Sequence, residues 1–398
     1  MSDLLYQYNP WWEGEFQAKL HKRAKYQTPL YQAKERSSIE MITGLRRVGK
    51  TALMKLLIEE LLSEINADRI LYISLDAYGL EKYSIHDILE EFRKIHKHSR
   101  DKHLYLFLDE VVFKDTYQQE LKNFYDNENL KIYASSSQAG LMKDQRGLLT
   151  GRVRLHEILP LNFAEYLDFL NIIIKPSESY LLEKYFEEFM KTGGIPEYVL
   201  TGDIGYLDEL CDNLLYKDII AVHNIKDSFL IRDYFKLLME RAGKQASITK
   251  MANVLGISRD TSSRYFGYFQ NSYIIHAIER CGKINERIRS GKKVYAGDIG
   301  IRNMVTGFRD KGALFENLVF FDIKHLAPCY YIQNGIELDF KTDNLLIEVK
   351  FNSEMTPKQQ ELFDSFSGEK FLIKNIKSFL QLRQQMNSEN SCRSIIPD

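Results

Sequence analysis

Short apolar runs alternate with longer amphipathic stretches in the first part of the chain. The run Ile39–Thr43 is of strand type, and after it Leu53, Leu57, Leu61 and Ile65 recur every fourth residue, as on one face of a helix. DRILYISLD and HLYLFLD predict two further strands, and the second is apolar enough to be buried on both faces of a parallel sheet. LKIYASSS predicts a fourth strand and HEILPLN a fifth. The alternation indicates an α/β domain with a parallel sheet over residues 1–161.

The loop between the first predicted strand and its helix has the pattern G-x-x-x-x-G-K-[ST]. Glycines let the backbone approach an anion closely, and N–H groups at the helix N-terminus point at it. We therefore predict a phosphate-binding loop for ATP, in which Lys50 reaches the β- and γ-phosphates and the Thr51 hydroxyl holds Mg²⁺. The predicted nucleotide contacts in the loop are Gly44, Leu45, Arg46, Arg47, Val48, Gly49, Lys50, Thr51 and Ala52.

Two acidic residues end the third predicted strand, where open α/β sheets bind ligands. We expect Asp109 to hold the Mg²⁺ ion through its water shell and Glu110 to orient or deprotonate the attacking water. The pair thus indicates hydrolysis rather than nucleotide binding alone. The polar tip of the fourth strand, Ser135–Ser137, is expected near the γ-phosphate, with Ser136 as the predicted contact.

Arg152 follows a glycine shortly before the fifth predicted strand. An arginine at this point can neutralise transition-state charge, either on the nucleotide of its own chain or on that of a neighbouring subunit. A surface salt bridge is the alternative, and the sequence leaves both open.

Residues 162–241 carry apolar side chains at helical spacing and predict a helical lid. Residues 242–295 predict a winged helix, because two short helices around a turn at Gly256 are followed by the apolar strand YIIHAI. The first helix is expected to begin after Ser247 and the second after Ser258, since serine is a favoured N-cap residue.

The predicted winged helix is strongly basic. Ten lysines and arginines lie between Lys244 and Lys293 against three acids, a local charge of about +7 on a chain whose net charge is −1. A basic helix-turn-helix face indicates DNA binding, whereas a plain spacer between domains is the alternative. The outward side chains of the second helix are predicted to be Arg259, Ser262, Ser263 and Arg264, with the two arginines as DNA contacts.

Residues 296–398 contain a predicted hairpin, IELDFKTDNLLIEVKF. Asp339 lies on its first strand, and Glu348 and Lys350 share a face of the second because alternate residues point the same way. Asp339 and Glu348 are predicted to hold Mg²⁺, Lys350 to position or activate water, and Glu316 on an upstream helix to add a further carboxylate. Alternating charge on an edge strand, or a degenerate fold kept for binding, would give the same pattern.

The motifs GLRRVGKTALM, LFLDEV, ASSSQAGLM, LTGR, LPLNFAEYL and TGGIPEYV, in this order and spacing, resemble a family of prokaryotic AAA-type ATPases. The resemblance covers nearly the whole chain. It implies a P-loop core, a helical lid, a winged helix and a C-terminal domain of the restriction-endonuclease-like PD-(D/E)xK type. Val112 departs from the family, which often has a polar residue soon after the acidic pair, so a relay from Glu110 through this position is in question.

Composition adds little, since 27% charged and 44% hydrophobic residues are typical of soluble globular proteins. No apolar run is long enough to span a bilayer, so we expect a cytoplasmic protein without a membrane partner. The four cysteines lie far apart and are expected as reduced thiols.

The sequence therefore predicts a Mg²⁺-dependent ATPase that acts on or with DNA, with metal-dependent DNA cleavage by the C-terminal domain and homo-oligomer formation as open options. The alternative is an ATP-gated protein-interaction switch with an inactive C-terminal docking domain.

Overall fold

The computed structural model describes residues 1–138 and 147–393, with side chains up to Met386 in the last helix. The end of the motif ASSSQAGLM, from residue 139 on, lies outside the described residues. The chain forms two compact units, which are Met1–Leu159 with Asn271–Tyr273, and Pro160–Gln270 with Ile274–Asp398. In the described ranges, each helix is either too short or too polar to cross a bilayer.

The first unit alternates helices with strands and contains a single five-stranded sheet. Its elements are α1 (Ser2–Tyr8), α2 (Ala24–Gln32), β1 (Ile39–Thr43), α3 (Lys50–Leu61), β2 (Ile70–Ser74), α4 (Ile85–His96), β3 (Leu104–Asp109), α5 (Tyr117–Asn127), β4 (Leu130–Ser136) and β5 (Val153–Glu157). All neighbouring strands pair in parallel in the order β2-β3-β4-β1-β5. The predicted α/β core is confirmed, and β4 lies between β1 and β3.

The central strands are buried because helices cover both faces of the sheet. Every residue of β1 and β3 is buried, as the apolar run of β3 predicted for that strand. The amphipathic helix α4 begins with a capping box between Ser84 and Asp87, and its apolar side packs into the core through Ile88 and Phe92.

The fifth strand comes three residues earlier than HEILPLN would place it. The structure pairs Val153–Glu157 with β1, and the pairing ends where the Ile158 N–H donates to the Thr43 carbonyl at 2.7 Å. The strand does not continue through HEILPLN because Pro160 has no N–H to donate to the ladder. The prediction was therefore wrong in its bounds.

Among the described residues, the second unit contains twelve α-helices and two small sheets. Its helices are α6 (Phe163–Phe169), α7 (Leu181–Thr192), α8 (Pro196–Thr201), α9 (Ile204–Leu215), α10 (Ser228–Glu240), α11 (Ile248–Leu255), α12 (Arg259–Asn271), α13 (Ile284–Arg289), α14 (Ile299–Thr306), α15 (Lys311–Ile323), α16 (Pro357–Asp364) and α17 (Ile376–Arg393). Its strands are β6 (Lys244–Ala246), β7 (Ile275–Ile278), β8 (Lys292–Ala296), β9 (Cys329–Gln333), β10 (Ile336–Lys341), β11 (Leu345–Val349) and β12 (Glu369–Ile373). The sheet orders are β6-β8-β7 and β12-β11-β10-β9, and β10 with β11 forms the predicted antiparallel hairpin.

One hydrophobic core joins the segment predicted as a lid to the C-terminal segment. Phe186 of α7 packs edge-on against Phe315 of α15, with ring centroids 5.7 Å apart. The glycine pair of TGGIPEYV lies at this junction. The Gly194 N–H donates to Asp298 Oδ2 at 2.7 Å, and a Cβ on Gly194 would lie 2.3 Å from the Leu161 carbonyl oxygen. The motif is thus required for close packing, while the predicted boundaries at 162, 242 and 296 stay predictions.

The two helices α11 and α12 follow the predicted helix–turn–helix, with Gly256 in the left-handed region (φ +66°) at the turn. Ser262, predicted to point outward, is buried, and its hydroxyl donates to the Ile248 carbonyl at 3.0 Å. The reason is helical spacing, because Ser262 shares a stripe with the buried Phe266 and Phe269. Exposure of Ser262 was therefore a wrong prediction.

Two of the cysteines are not reduced thiols. Cys281 and Cys329 form a disulfide, whereas Cys211 is a buried free thiol. Backbone pairing brings the two cysteines together, since the Cys281 N–H donates to the Tyr330 carbonyl at 2.8 Å. The pairing crosses 48 residues of sequence, so spacing alone gave no sign of it.

A buried ion pair crosses the first unit's sheet. Lys131 Nζ of β4 donates to Glu40 Oε1 of β1 at 3.0 Å, and His156 Nε2 of β5 lies 2.6 Å from Glu40 Oε2. Burial alone would raise the pKa of Glu40, but hydrogen bonds from His156, Ser38 and Lys131 outweigh it and lower the pKa to about 2. Ionised Glu40 therefore stabilises the fold at neutral pH.

We expect Glu40→Gln to lower the free energy of unfolding of the first unit by about 3–5 kcal/mol, because the buried Lys131 would lose its opposite charge. Trp11 and Trp12 are the protein's two tryptophans, so fluorescence during urea unfolding reports on this unit. Glu40→Gln with Lys131→Met should recover part of the loss.

The stabilisation by Glu40 falls as the pH falls. A depressed folded-state pKa gives a stabilisation that is complete above the unfolded value, near 4.5, and is lost as the pH falls towards 2. Glu40→Gln should flatten this part of the wild-type curve. An unchanged urea midpoint in the variant would contradict a stabilising role for the pair.

Candidate functional site

The phosphate loop connects the C-terminal end of β1 to the first turn of α3. Gly49 has φ +99° directly before the helix, and Arg47 has φ +68° within the loop. A Cβ on Gly44 would lie 2.3 Å from the Ile158 carbonyl oxygen, so a glycine is needed where the loop passes the end of β5. The Leu53 N–H donates to the Gly49 carbonyl at 2.9 Å, so α3 begins directly at the loop, and a helix N-terminus at this point favours a bound anion.

Lys50 is folded over this loop. Its Nζ donates to the carbonyls of Gly44 and Leu45 at 3.1 and 3.2 Å and to Ser137 Oγ at 2.9 Å. The same Nζ lies 3.9 Å from Glu110 Oε1, and the side chain is only 5% exposed. The ammonium therefore lies between the loop and the acidic end of β3.

Asp109 receives hydrogen bonds from three hydroxyl groups. Thr51 Oγ1 and Tyr72 OH donate to Oδ2 at 2.6 and 2.9 Å, and Ser135 donates to Oδ1. Burial, followed by the charge of Asp109, raises the pKa of Tyr72, so its hydroxyl stays a donor. The adjacent Thr51 hydroxyl and Asp109 carboxylate are oxygen groups of the kind that Mg²⁺ uses beside bound phosphates, so the residues present fit this ion.

Glu110 adopts a strained backbone and is oriented by Ser137. Its φ of +53° is rare for a residue other than glycine, and such strain is concentrated at functional sites. Ser137 Oγ donates to Glu110 Oε1 at 2.5 Å and Ser137 N–H to Oε2 at 3.2 Å. The carboxylate is thus held beside Lys50.

Ser137 is the residue that the sequence reasoning missed. The hydroxyl of Ser136, the predicted contact, donates to the Gln138 carbonyl at 3.1 Å, while Ser135 and Ser137 face the acidic pair. The alternation of side chains along β4 could have revealed this, because residues 135 and 137 share a face. Contact of Ser136 with the nucleotide stays a prediction.

Arg152 lies at the opposite edge of the sheet from the phosphate loop. Its carbonyl accepts from the Ile39 N–H at the start of β1, roughly 13 Å of strand before the loop begins. Its guanidinium forms an ion pair with Asp126, with contacts of 2.9 and 3.2 Å. Arg152 therefore forms the salt bridge that was the alternative interpretation, and its action on a nucleotide, of its own chain or of a neighbouring subunit, stays a prediction.

Two family models match the chain. An AAA domain matches residues 36–167, which include the loop, Asp109 and Glu110. A domain of unknown function (DUF8612) matches residues 183–312 of the second unit. The first match covers the site just described.

Two uncharacterized proteins are similar over most of the chain. One, MJ1544 of Methanocaldococcus jannaschii, is 31% identical in an alignment over 353 residues. The alignment covers 82% of this chain and 77% of that protein. The chain belongs to the family of prokaryotic AAA-type P-loop ATPases. A protein of Haemophilus influenzae is 25% identical over 83% of this chain and 86% of its own length.

Solved structures with similar folds include the Walker-type ATPase PABY2304 of Pyrococcus abyssi, with a TM-score of 0.46 and 14% identity over 72% of this chain and 96% of that one. The ORC1 protein of Aeropyrum pernix, solved in complex with DNA, has a TM-score of 0.34 and 11% identity over 73% and 94%.

The hairpin of the second unit brings the predicted nuclease-like residues together. The register that pairs Phe340 with Ile347 puts Asp339 opposite Glu348, and the Asp339 N–H donates to Glu348 Oε2 at 3.0 Å. Lys350 donates to Glu348, as expected for two residues on one face. Glu316 of α15 lies in the same cluster, where its Oε1 is 2.8 Å from Lys293 Nζ.

The acidic side chains of this cluster pair with two lysines. Among the described residues, no group of three or more His, Cys, Asp or Glu is arranged to hold a metal. The carboxylates of Asp339, Glu348 and Glu316 contact the ammonium groups of Lys293 and Lys350 instead. Their role as metal ligands stays a prediction. Burial, followed by repulsion from Asp339, raises the pKa of Glu316 to about 8 and that of Glu348 to about 7.

The predicted DNA contacts Arg259 and Arg264 are both exposed on α12, together with Ser263. Arg264 Nη2 lies 3.4 Å from the Thr261 hydroxyl of the same helix. The exposure agrees with the prediction, and the DNA contact itself stays a prediction.

We expect Ser137→Ala to lower ATP turnover of this ATPase by about ten- to a hundredfold, because it removes hydrogen bonds to two charged groups, Lys50 and Glu110. Ser63→Ala is the matched control, since its hydroxyl donates to the Glu60 carbonyl at the other end of α3 from the phosphate loop. Steady-state phosphate release measures the effect. Equal turnover of the two variants would contradict the role given to Ser137.

Proposed function

We propose that the protein hydrolyses ATP with Mg²⁺ and uses the hydrolysis to change conformation on DNA. The observation that carries the hydrolytic part is the position of Glu110, whose carboxylate is held by Ser137 3.9 Å from the Lys50 ammonium. A carboxylate beside the phosphate-binding lysine can accept a proton from water that attacks the γ-phosphate.

Each residue of the site has a separate task in this proposal. The loop N–H groups and Lys50 bind the phosphates, and Thr51 with Asp109 would hold Mg²⁺, which neutralises phosphate charge when bound. Glu110 holds the attacking water and takes its proton. Ser137 orients Glu110 and fixes its distance from Lys50, because its hydroxyl contacts both groups.

We expect Lys50→Ala to abolish ATP binding, because it removes the charge that faces the phosphates. Glu110→Gln should bind ATP nearly as the wild type does, but kcat should fall by about 10²–10⁴-fold, the range for loss of a general base. Fluorescent-nucleotide titration and phosphate release measure the two properties separately. Wild-type turnover of Glu110→Gln would show that the hydrolytic assignment is wrong.

The DNA part of the proposal is supported by charge and exposure in α11–α12 and the strands beside them. This segment has a formal charge of about +7, or about +6 without the buried Lys293, and α12 exposes Arg259 and Arg264 after a glycine turn, as in a helix-turn-helix. The antiparallel strands β6, β8 and β7 complete the elements of a winged helix, which we propose as the DNA-binding module. A protein-interaction switch is the competing function.

We expect Arg259→Ala and Arg264→Ala each to weaken duplex DNA binding and to reduce the slope of log K against log salt by about one unit, as for one lost phosphate contact. Fluorescence anisotropy at several salt concentrations measures the slope. Lys184→Ala is a suitable control, because this lysine is 63% exposed on α7, outside the proposed module. Unchanged slopes in both arginine variants would favour the protein-interaction switch.

A further inference from the structure

Lys293 of β8 is buried among carboxylates of the second unit. Its Nζ lies 2.8 Å from Glu316 Oε1, 2.9 Å from Glu337 Oε1 and 2.8 Å from Asp339 Oδ1. An ammonium group has three N–H donors, so each can bond one of these three oxygens. The side chain is only 3% exposed, which places a complete, desolvated cation inside the acidic cluster.

We propose that the Lys293 ammonium takes the position of a divalent cation in this cluster, so that the second unit binds no metal there and carries out no phosphodiester chemistry. The inference concerns a site apart from the phosphate loop and does not depend on ATP hydrolysis. It assigns the cluster a structural role, in which a tethered cation holds α15 and the hairpin together.

The remaining hydrogen bonds of the cluster leave little room for a metal. Asp339 Oδ2 accepts from the Val349 N–H at 2.9 Å, and Glu348 accepts from Lys350 on one oxygen and from the Asp339 N–H on the other. Glu316 Oε1 also accepts from the Tyr295 hydroxyl at 2.7 Å. A Mg²⁺ ion needs six oxygens at about 2.1 Å, which these oxygens could offer only after Lys293 had left.

The strand that carries Lys293 fixes its direction. β8 is the middle strand of its sheet, where Lys293 pairs with Gln245 on one side and with Ile278 on the other. The side chain of Gln245 also donates to Glu337 Oε2 at 2.6 Å, next to the ammonium. Lys292 precedes it and points to the opposite face because side chains alternate along a strand, and it is 40% exposed.

The test uses the full-length chain without nucleotide and Mn²⁺ as the probe. We expect calorimetry to give the same Mn²⁺ titration for the wild type and for Asp339→Asn, because the cluster binds no metal in either protein. Lys293→Met, which keeps the length of the side chain and removes its charge, should bind Mn²⁺ at least about tenfold more tightly than any Mn²⁺ binding that the wild type shows elsewhere, the scale on which groups around a metal site change its affinity. Lys292→Met should behave as the wild type does.

The outcomes separate clearly. The proposal would be supported if Lys293→Met binds Mn²⁺ and the double variant Lys293→Met with Asp339→Asn does not. Two results would overturn it: Mn²⁺ binding or DNA nicking by the wild type that disappears in Asp339→Asn, or a folded Lys293→Met that binds no more Mn²⁺ than the wild type. If Lys293→Met does not fold, the wild-type and Asp339→Asn titrations still decide the question.

Discussion

Backbone pairing of β4 between β1 and β3 is the constraint on which the nucleotide site depends. Parallel strands present their carboxyl ends at one edge, so the phosphate loop after β1, the serines at the end of β4 and the acidic pair after β3 come from three adjacent strands. Because β4 lies in the middle, its side chains can touch both neighbours. Ser137 does so directly, with one hydroxyl in contact with Lys50 and Glu110.

Local patterns predicted the parts of this site that depend on consecutive residues. The glycines, Lys50 and Thr51 are recognisable because the loop needs a fixed spacing, and Asp109 because a long apolar run ends there. Arg152 was harder to place, since only the register of β5 against β1 shows that it lies at the far edge of the sheet. Which of Ser136 and Ser137 faces the acidic pair depends on the direction in which alternate side chains of β4 point.

Long-range contacts account for what the sequence did not show in the second unit. Ser262 is polar and its pattern predicts exposure, yet Ile248 and Tyr234 supply its hydrogen-bond partners from other elements. Lys293 counted as part of a basic DNA-binding segment, although its ammonium is buried among acids from α15 and β10. The order of residue types does not show whether a charged side chain faces water or an opposite charge, because the opposite charge comes from an element distant in the sequence.

The disulfide has a further consequence for the unfolded chain. Cys281 and Cys329 close a covalent loop across 48 residues, which contains β8 with Lys293 and α15 with Glu316. Closing a loop of this size restricts the unfolded ensemble by about 4 kcal/mol in the chain-entropy account. The lysine and one of its three acidic partners therefore lie in one closed loop even in the unfolded chain, which limits how far apart they can move, whereas under reducing conditions this limit is lost.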